Sequence, residues 1–160
     1  MRIGAGFDAH QFETGTPLII GGVSIPFPKG SKGHSDGDVL YHAIVDALLG
    51  ALALGDIGSH FPSEDDKWKD ADSSQFVSHA LSLIKAKGYI VGNVDATIIL
   101  QQPKISPYIK EMRNNISSLL EIDIDSISVK ATTTDTLGFT GKGEGLAASA
   151  NLLLHKTNGN

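Results

Sequence analysis

Asp8 and His10 stand two residues apart in Arg2-Ile-Gly-Ala-Gly-Phe-Asp-Ala-His10, a run of apolar and small residues that reads as a strand. Side chains two apart on a strand point to the same face, so the pair can converge on one ion. His42 lies inside an apolar helical stretch. To join them it must come from the helix that begins near Ser35. Two imidazole nitrogens and one carboxylate oxygen suit zinc, and three protein ligands leave a coordination position open, as catalytic zinc sites do. The competing reading makes His10 a strand-end histidine and His42 a satisfied core histidine.

At 160 residues the chain is expected to form one catalytic domain, 1–160, large enough to bury about two-thirds of its unfolded surface. There is no cysteine, so any metal must use His, Asp or Glu, which suits zinc, manganese or magnesium. No apolar run reaches membrane-spanning length, and the strand motif begins almost at Met1, leaving no room for a signal or transit peptide. The expected location is cytoplasmic. A net charge of −5 argues against a nucleic-acid binder, which would show a basic face. It is compatible with a phosphorylated small molecule if cations and backbone N–H groups supply the positive charge.

Strand 2–9 is followed by a hairpin, Leu18-Ile-Ile20 and Val23-Ser-Ile25 about Gly21-Gly22, and then by a loop over 29–34. Apolar residues recur at helical spacing from Asp36 to Leu54, with Ser35 or Asp36 as N-cap and Gly55 as stop. The polar stretch 55–72 reads as a long mobile loop, and such loops are commonly functional. Ser73 caps a helix to Lys87; a strand follows over 89–101; Ser106-Pro107 opens a helix to about Glu121. Strands over 126–133 and 146–155 flank a Gly/Thr turn region, and 156–160 is a frayed tail. Strands mixed with helices predict an α+β fold, its sheet covered by helices.

Chemistry concentrates in three places. His34-Ser-Asp-Gly-Asp38 sits at the mouth of the first long helix, whose unpaired N–H groups favour an anion. Its plain alternative is a capping loop. Asp38, His42 and Asp46 are four residues apart and share one helix face, so Asp38 or Asp46 is a candidate to orient a metal-bound imidazole. Asp56, between Gly55 and Ile57-Gly58, is a turn-former or a hydroxyl-binding residue. Lys130-Ala-Thr-Thr-Thr-Asp-Thr136 and Gly138-Phe-Thr-Gly-Lys-Gly-Glu-Gly145 supply hydroxyls, a carboxylate and a lysine suited to phosphate and metal-diphosphate contacts, though Thr and Gly are common in β-rich turns anyway. No Walker P-loop pattern occurs. His60, His79 and His155 read as surface residues without convergent partners.

Across nearly the whole chain the sequence resembles the 2-C-methyl-D-erythritol 2,4-cyclodiphosphate synthase family of the non-mevalonate isoprenoid pathway. The resemblance rests on Arg2-Ile-Gly-x-Gly-Phe-Asp-x-His10, Ile20-Gly-Gly-Val23, Gly33-His-Ser-Asp-Gly-Asp-Val39, His42, Asp46-Ala-Leu-Leu-Gly50, Ala53-Leu-Gly-Asp-Ile-Gly58, Phe61-Pro62, Gly92-Asn-Val-Asp95, Pro103-Lys104, Val129-Lys-Ala-Thr-Thr-Thr134, Leu137-Gly-Phe-Thr-Gly141 and Gly143-Glu-Gly145. It implies a homotrimer with its sheets facing the three-fold axis and active sites between neighbouring subunits. It implies zinc on Asp8, His10 and His42 and a second ion, magnesium or manganese, on Asp135. The implied reaction is attack by the 2-phosphate of a CDP-methylerythritol phosphate on the β-phosphorus of its diphosphate, releasing CMP. His34 and Thr133 would then be catalytic. His34, Ser35, Asp56, Ile57, Gly58, Phe61, Pro62, Ser63, Glu64 and Asp65, with Asp8 and His10, would hold the methylerythritol phosphate part. Leu100, Gln101, Gln102, Pro103, Lys104, Ile105 and Ser106, with Ala131, Thr132, Thr133 and Thr134, would hold the cytidine part. Asp135, Phe139 and Lys142 would also bind substrate, Asp135 reaching the second ion directly or through water or the substrate phosphates, and Phe139, Lys142 and Glu144 would lie near the axis. The chain departs from the family pattern at Asp135 (usually Glu), Lys142 (usually Arg) and Ser149 (often Glu). The alternative is a metal-dependent phosphohydrolase using the same site with water as nucleophile.

Overall fold

In the computed structural model, which describes residues 1–157, the sheet is built from long strands: β1 (Arg2–Thr14), β4 (Lys29–Ser31), β5 (Tyr89–Ile99), β6 (Ile127–Thr132) and β7 (Gly145–Lys156). Their order is β4-β1-β7-β5-β6. Only the β5–β6 pair is parallel; β1 pairs antiparallel with β4 and β7, and β5 with β7. β2 (Leu18–Ile20) and β3 (Val23–Ile25) form a separate hairpin. The helices are α1 (Val39–Ala51), α2 (Ile57–His60), α3 (Ser74–Ala86), α4 (Ile109–Leu120) and α5 (Gly138–Gly141). The fold is α+β, as expected.

Burial alternates along β1. Gly4, Gly6, Asp8, His10 and Phe12 lie on the face toward α1, whereas Ile3, Ala5, Phe7, Ala9 and Gln11 are exposed. The same alternation runs through β5, where Val94, Ala96 and Ile98 are buried. One face of the sheet is therefore sealed by helices and the other is bare. α1 lies very close to β1. A Cβ on Gly4 would fall 1.9 Å from the Ala47 carbonyl oxygen, and one on Gly6 would fall 1.9 Å from that of Ala43. Glycine facing alanine lets helix and strand approach closely enough for His42 to reach the strand's carboxylate and imidazole.

Several boundaries differ from the sequence reading. β1 runs on to Thr14 because Phe12, Glu13 and Thr14 pair with Ser31, Gly30 and Lys29, which converts the start of the expected 29–34 loop into β4. α1 begins at Val39, and its N-cap is Asp38 rather than Ser35 or Asp36; it ends at Ala51, before Gly55. The stretch 55–72 is not structureless: it holds α2 and a 3₁₀ turn, Asp66–Trp68. It is pinned by Phe61, whose ring lies 4.4 Å from Phe76 and 5.0 Å from Trp68, and by Asp70 N–H to His34 O (2.8 Å) and Asp36 N–H to Ala71 O (3.0 Å). The helix after Ser106 opens as a 3₁₀ turn, Ser106–Tyr108. Lys156 still pairs with Tyr89, and Thr157 N–H bonds Gly88 O at 2.8 Å, so neither is frayed; 158–160 lie outside the described residues.

Candidate metal centre and active site

β1 projects Asp8 and His10 toward α1, and α1 returns His42 from its first turn. Three atoms meet: Asp8 Oδ2, His10 Nε2 and His42 Nδ1. Their separations are 2.9 Å (Asp8–His10), 2.8 Å (Asp8–His42) and 3.1 Å (His10–His42). No other group of three His, Cys, Asp or Glu side chains converges in this way among the described residues. A tetrahedral ion with bonds of about 2.0–2.1 Å needs ligand atoms about 3.3 Å apart, so this triangle accepts one after a small opening. Without an ion, the two imidazole nitrogens are satisfied only by carrying protons toward the one Asp8 oxygen they share, whereas a cation satisfies all three atoms at once. His10 Nδ1 donates to Lys32 O at 3.1 Å, which leaves the Nε2 lone pair aimed at the triangle. The residues present thus fit a divalent cation.

Burial would raise the Asp8 carboxyl, but hydrogen bonds and attraction from His10 and His42 hold it well below the usual carboxylate range. Burial would lower His10, but the hydrogen bond and charge of Asp8 outweigh it and raise the imidazole.

The triangle opens into a cleft of about 260 Å³ that is also lined by His34, Ser35, Ile57, Gly58, Phe61 and Ser63. Of the residues expected to hold the methylerythritol part, these line the cleft with the triad. Asp56 is exposed and caps α2, accepting from Ser59 N–H (2.8 Å) and Ser59 Oγ (2.6 Å), and these bonds lower its pKa. His34 Nε2 donates to Asp65 O at 3.1 Å, and Asp65 itself caps the 3₁₀ turn through Lys67 N–H. Pro62 and Glu64 are exposed on the same loop.

The expected cytidine residues gather elsewhere. Leu100 to Ser106, with Ala131, Thr132, Thr133 and Phe27, line a second cleft of about 700 Å³. Asp135 is exposed one turn further on and within hydrogen-bond reach of Thr133 Oγ1 (3.2 Å), with its backbone in the left-handed region (φ 50°). Ala9, His10, Gln11, Phe139 and Glu144 line a third hollow of about 390 Å³ at the sheet's bare face. Within a single chain these groups lie in separate clefts.

Neither Asp38 nor Asp46 orients His42. Asp38 is wholly buried and accepts four backbone N–H groups, from Gly21, Gly22, Leu40 and Tyr41 (2.7–3.1 Å), joining the β2–β3 hairpin to the start of α1. Burial pushes its carboxyl up to about 6, against the pull of those donors. Asp46 accepts the Ile57 N–H at 2.7 Å and positions α2. The groups that do meet the far side of His42 are Ser73, its Oγ 2.9 Å from Nε2, and Ser35 at 3.2 Å. Ser73 was expected to cap α3, and only the tertiary fold brings it to His42, since 31 residues separate them. His60 and His79 are also not isolated: their rings lie 5.7 Å apart beside Phe61.

Fold and site together define an α+β protein with an Asp–His–His cluster that fits a divalent cation and opens into a cleft. The model of the YgbB family matches residues 1–155. Curated relatives named 2-C-methyl-D-erythritol 2,4-cyclodiphosphate synthase include one from Shouchella clausii, 57% identical over 98% of each chain, and one from Bacillus subtilis, 56% identical over 97% of this chain and 98% of the relative. Among solved structures, the bifunctional IspDF of Campylobacter jejuni superposes with a TM-score of 0.94 at 41% identity, covering 98% of this chain and 42% of that one. The CDP complex of Plasmodium falciparum IspF superposes with a TM-score of 0.87 at 42% identity, covering 98% and 97%. The chain belongs to the YgbB family, that of the 2-C-methyl-D-erythritol 2,4-cyclodiphosphate synthases.

Proposed function

We propose that this chain is a phosphorus–oxygen lyase that converts 4-diphosphocytidyl-2-C-methyl-D-erythritol 2-phosphate to 2-C-methyl-D-erythritol 2,4-cyclodiphosphate and CMP. An oxygen of the 2-phosphate forms a bond to the β-phosphorus. The bond from that phosphorus to the bridging oxygen breaks, and CMP leaves with the oxygen. The observation that carries this reading is the Asp8–His10–His42 triangle at the mouth of a cleft lined by His34 and Ser35, in a chain whose relatives bear that activity's name.

Asp8, His10 and His42 would hold zinc, and Asp135 would serve a second cation, magnesium or manganese, directly or through water. Bound cations would neutralise phosphate oxygens and so lower the cost of bringing two phosphates together. The chain's own residues position. His34 and Thr133 stand over the transferring phosphate, and Ser35, Asp56, Ile57, Gly58 and the 61–65 loop hold the methylerythritol phosphate. The Leu100–Ser106 and Ala131–Thr134 segments hold the cytidine. In phosphoryl transfer such positioning and charge neutralisation supply most of the catalysis.

The two halves of this site lie in separate clefts of one chain, which supports a site completed by a neighbouring copy; the family resemblance implies that the assembly is a homotrimer whose bare sheet faces meet at the axis. Phe139, Lys142 and Glu144 then lie near that axis. Phosphorus NMR tests the activity: the cyclic diphosphate and CMP should appear in equal amounts. Release of inorganic phosphate without a cyclic product would mark a phosphohydrolase instead.

A further inference from the structure

Ser73 occupies the N-cap position of α3, yet its hydroxyl makes no capping bond. It is fully buried. Ser73 Oγ lies 2.5 Å from Asp36 Oδ1 and 2.9 Å from His42 Nε2. An ionised carboxylate oxygen only accepts hydrogen bonds. The Ser73 proton must therefore go to Asp36, and its remaining lone pair must receive the proton on His42 Nε2. This leaves His42 Nδ1 unprotonated, and Nδ1 is the atom that faces Asp8 and His10. Asp36 is itself held by Ser73 N–H to Oδ2 (3.1 Å) and Asp38 N–H to Oδ1 (3.1 Å), so its carboxylate cannot turn away freely.

We propose that Asp36 and Ser73 form a relay of positioning residues that sets the tautomer of His42 and tunes the affinity of the cation centre. Carboxylates behind a metal-bound imidazole commonly do this directly; here a serine hydroxyl stands between them. Ser73 follows directly on the 55–72 stretch, and the Asp36 N–H donates to Ala71 O in that stretch, which ties the relay to the polypeptide beside the cleft. Ser35 Oγ, 3.2 Å from the same Nε2, is a longer second partner; it lies 3.3 Å from the Gly37 N–H, which donates to it. The inference rests on the cation reading of Asp8, His10 and His42.

Zinc dissociation constants, measured by chelator competition on the purified wild type, Ser73→Ala, Asp36→Asn and the double variant, test it. Loss of an outer partner of a metal ligand weakens affinity by about 10–100-fold. Ser73→Ala should fall in that range, and the double variant should be no weaker than the weaker single one, because both act through one path. Nitrogen-15 NMR of the metal-free protein at a pH where the His42 ring is neutral should show its proton on Nε2 in the wild type and a mixture of tautomers in Ser73→Ala. Each variant's melting temperature in chelator reports whether it folds. A folded Ser73→Ala protein with wild-type zinc affinity and an unchanged tautomer overturns the relay. A wild type that binds no zinc instead overturns the cation reading beneath it.

Discussion

Asp38 shows how one side chain can fix a junction. Its two oxygens take four backbone N–H groups from two separate elements, with no solvent to substitute for them. Asp38→Asn keeps the shape but presents an NH₂ group to at least one backbone donor. A buried donor left unpaired costs about 1–3 kcal/mol. Urea denaturation of metal-free protein should show a loss of about 2 kcal/mol; a loss below about 0.5 kcal/mol would mean that the hairpin and α1 are held by packing alone. The residue's sequence position suggested metal chemistry, because it shares a helix face with His42. What decided otherwise was the β2–β3 turn, whose Gly21 and Gly22 amides reach it from 16 and 17 residues away.

The decisive contact between elements is that of β1 with α1. Gly4 and Gly6 face Ala47 and Ala43 with no space for a methyl group. Gly6→Ala must push the helix off the strand, since the obstructing atom is a backbone oxygen. The cost is about 3 kcal/mol, and the displacement should also spread the triangle, so zinc affinity falls with stability. Gly15→Ala is the control: it adds the same methyl group in open space at φ 82°. Its cost is backbone strain of about 1 kcal/mol, with zinc affinity unchanged. Calorimetry and zinc titration on both variants separate the two effects; equal zinc affinity in Gly6→Ala would show that the close approach does not govern the ligands.

At the scale of the molecule, the sheet's bare face is unusual for an isolated domain. Ile3, Phe7 and Phe139 are exposed to 74%, 60% and 44%. Contiguous exposed apolar surface marks an interaction site, and the proposed assembly would bring the separate clefts of neighbouring copies together. Phe7→Asp, at the centre of β1's exposed side, should yield folded monomers in sedimentation velocity and abolish cyclodiphosphate formation. A fully active monomer would show that one chain suffices. No helix among the described residues is long and apolar enough to cross a membrane.

The amino-acid sequence by itself determined the long strands and helices and the candidate ligand triad, but not β4 or α2. Period-two burial in β1 placed Asp8 and His10 on one face, and the apolar spacing of α1 placed His42 in a helix, because these are properties of local backbone geometry. It also carried the family motifs along the whole chain. Only the tertiary structure decided what surrounds those ligands. Asp38 became a cap, Asp46 an anchor for α2, and Ser73, itself bonded to Asp36, the partner of His42 Nε2. Such roles depend on which distant amides and hydroxyls arrive within about 3 Å of a carboxylate, and periodicity along the chain carries no record of that distance.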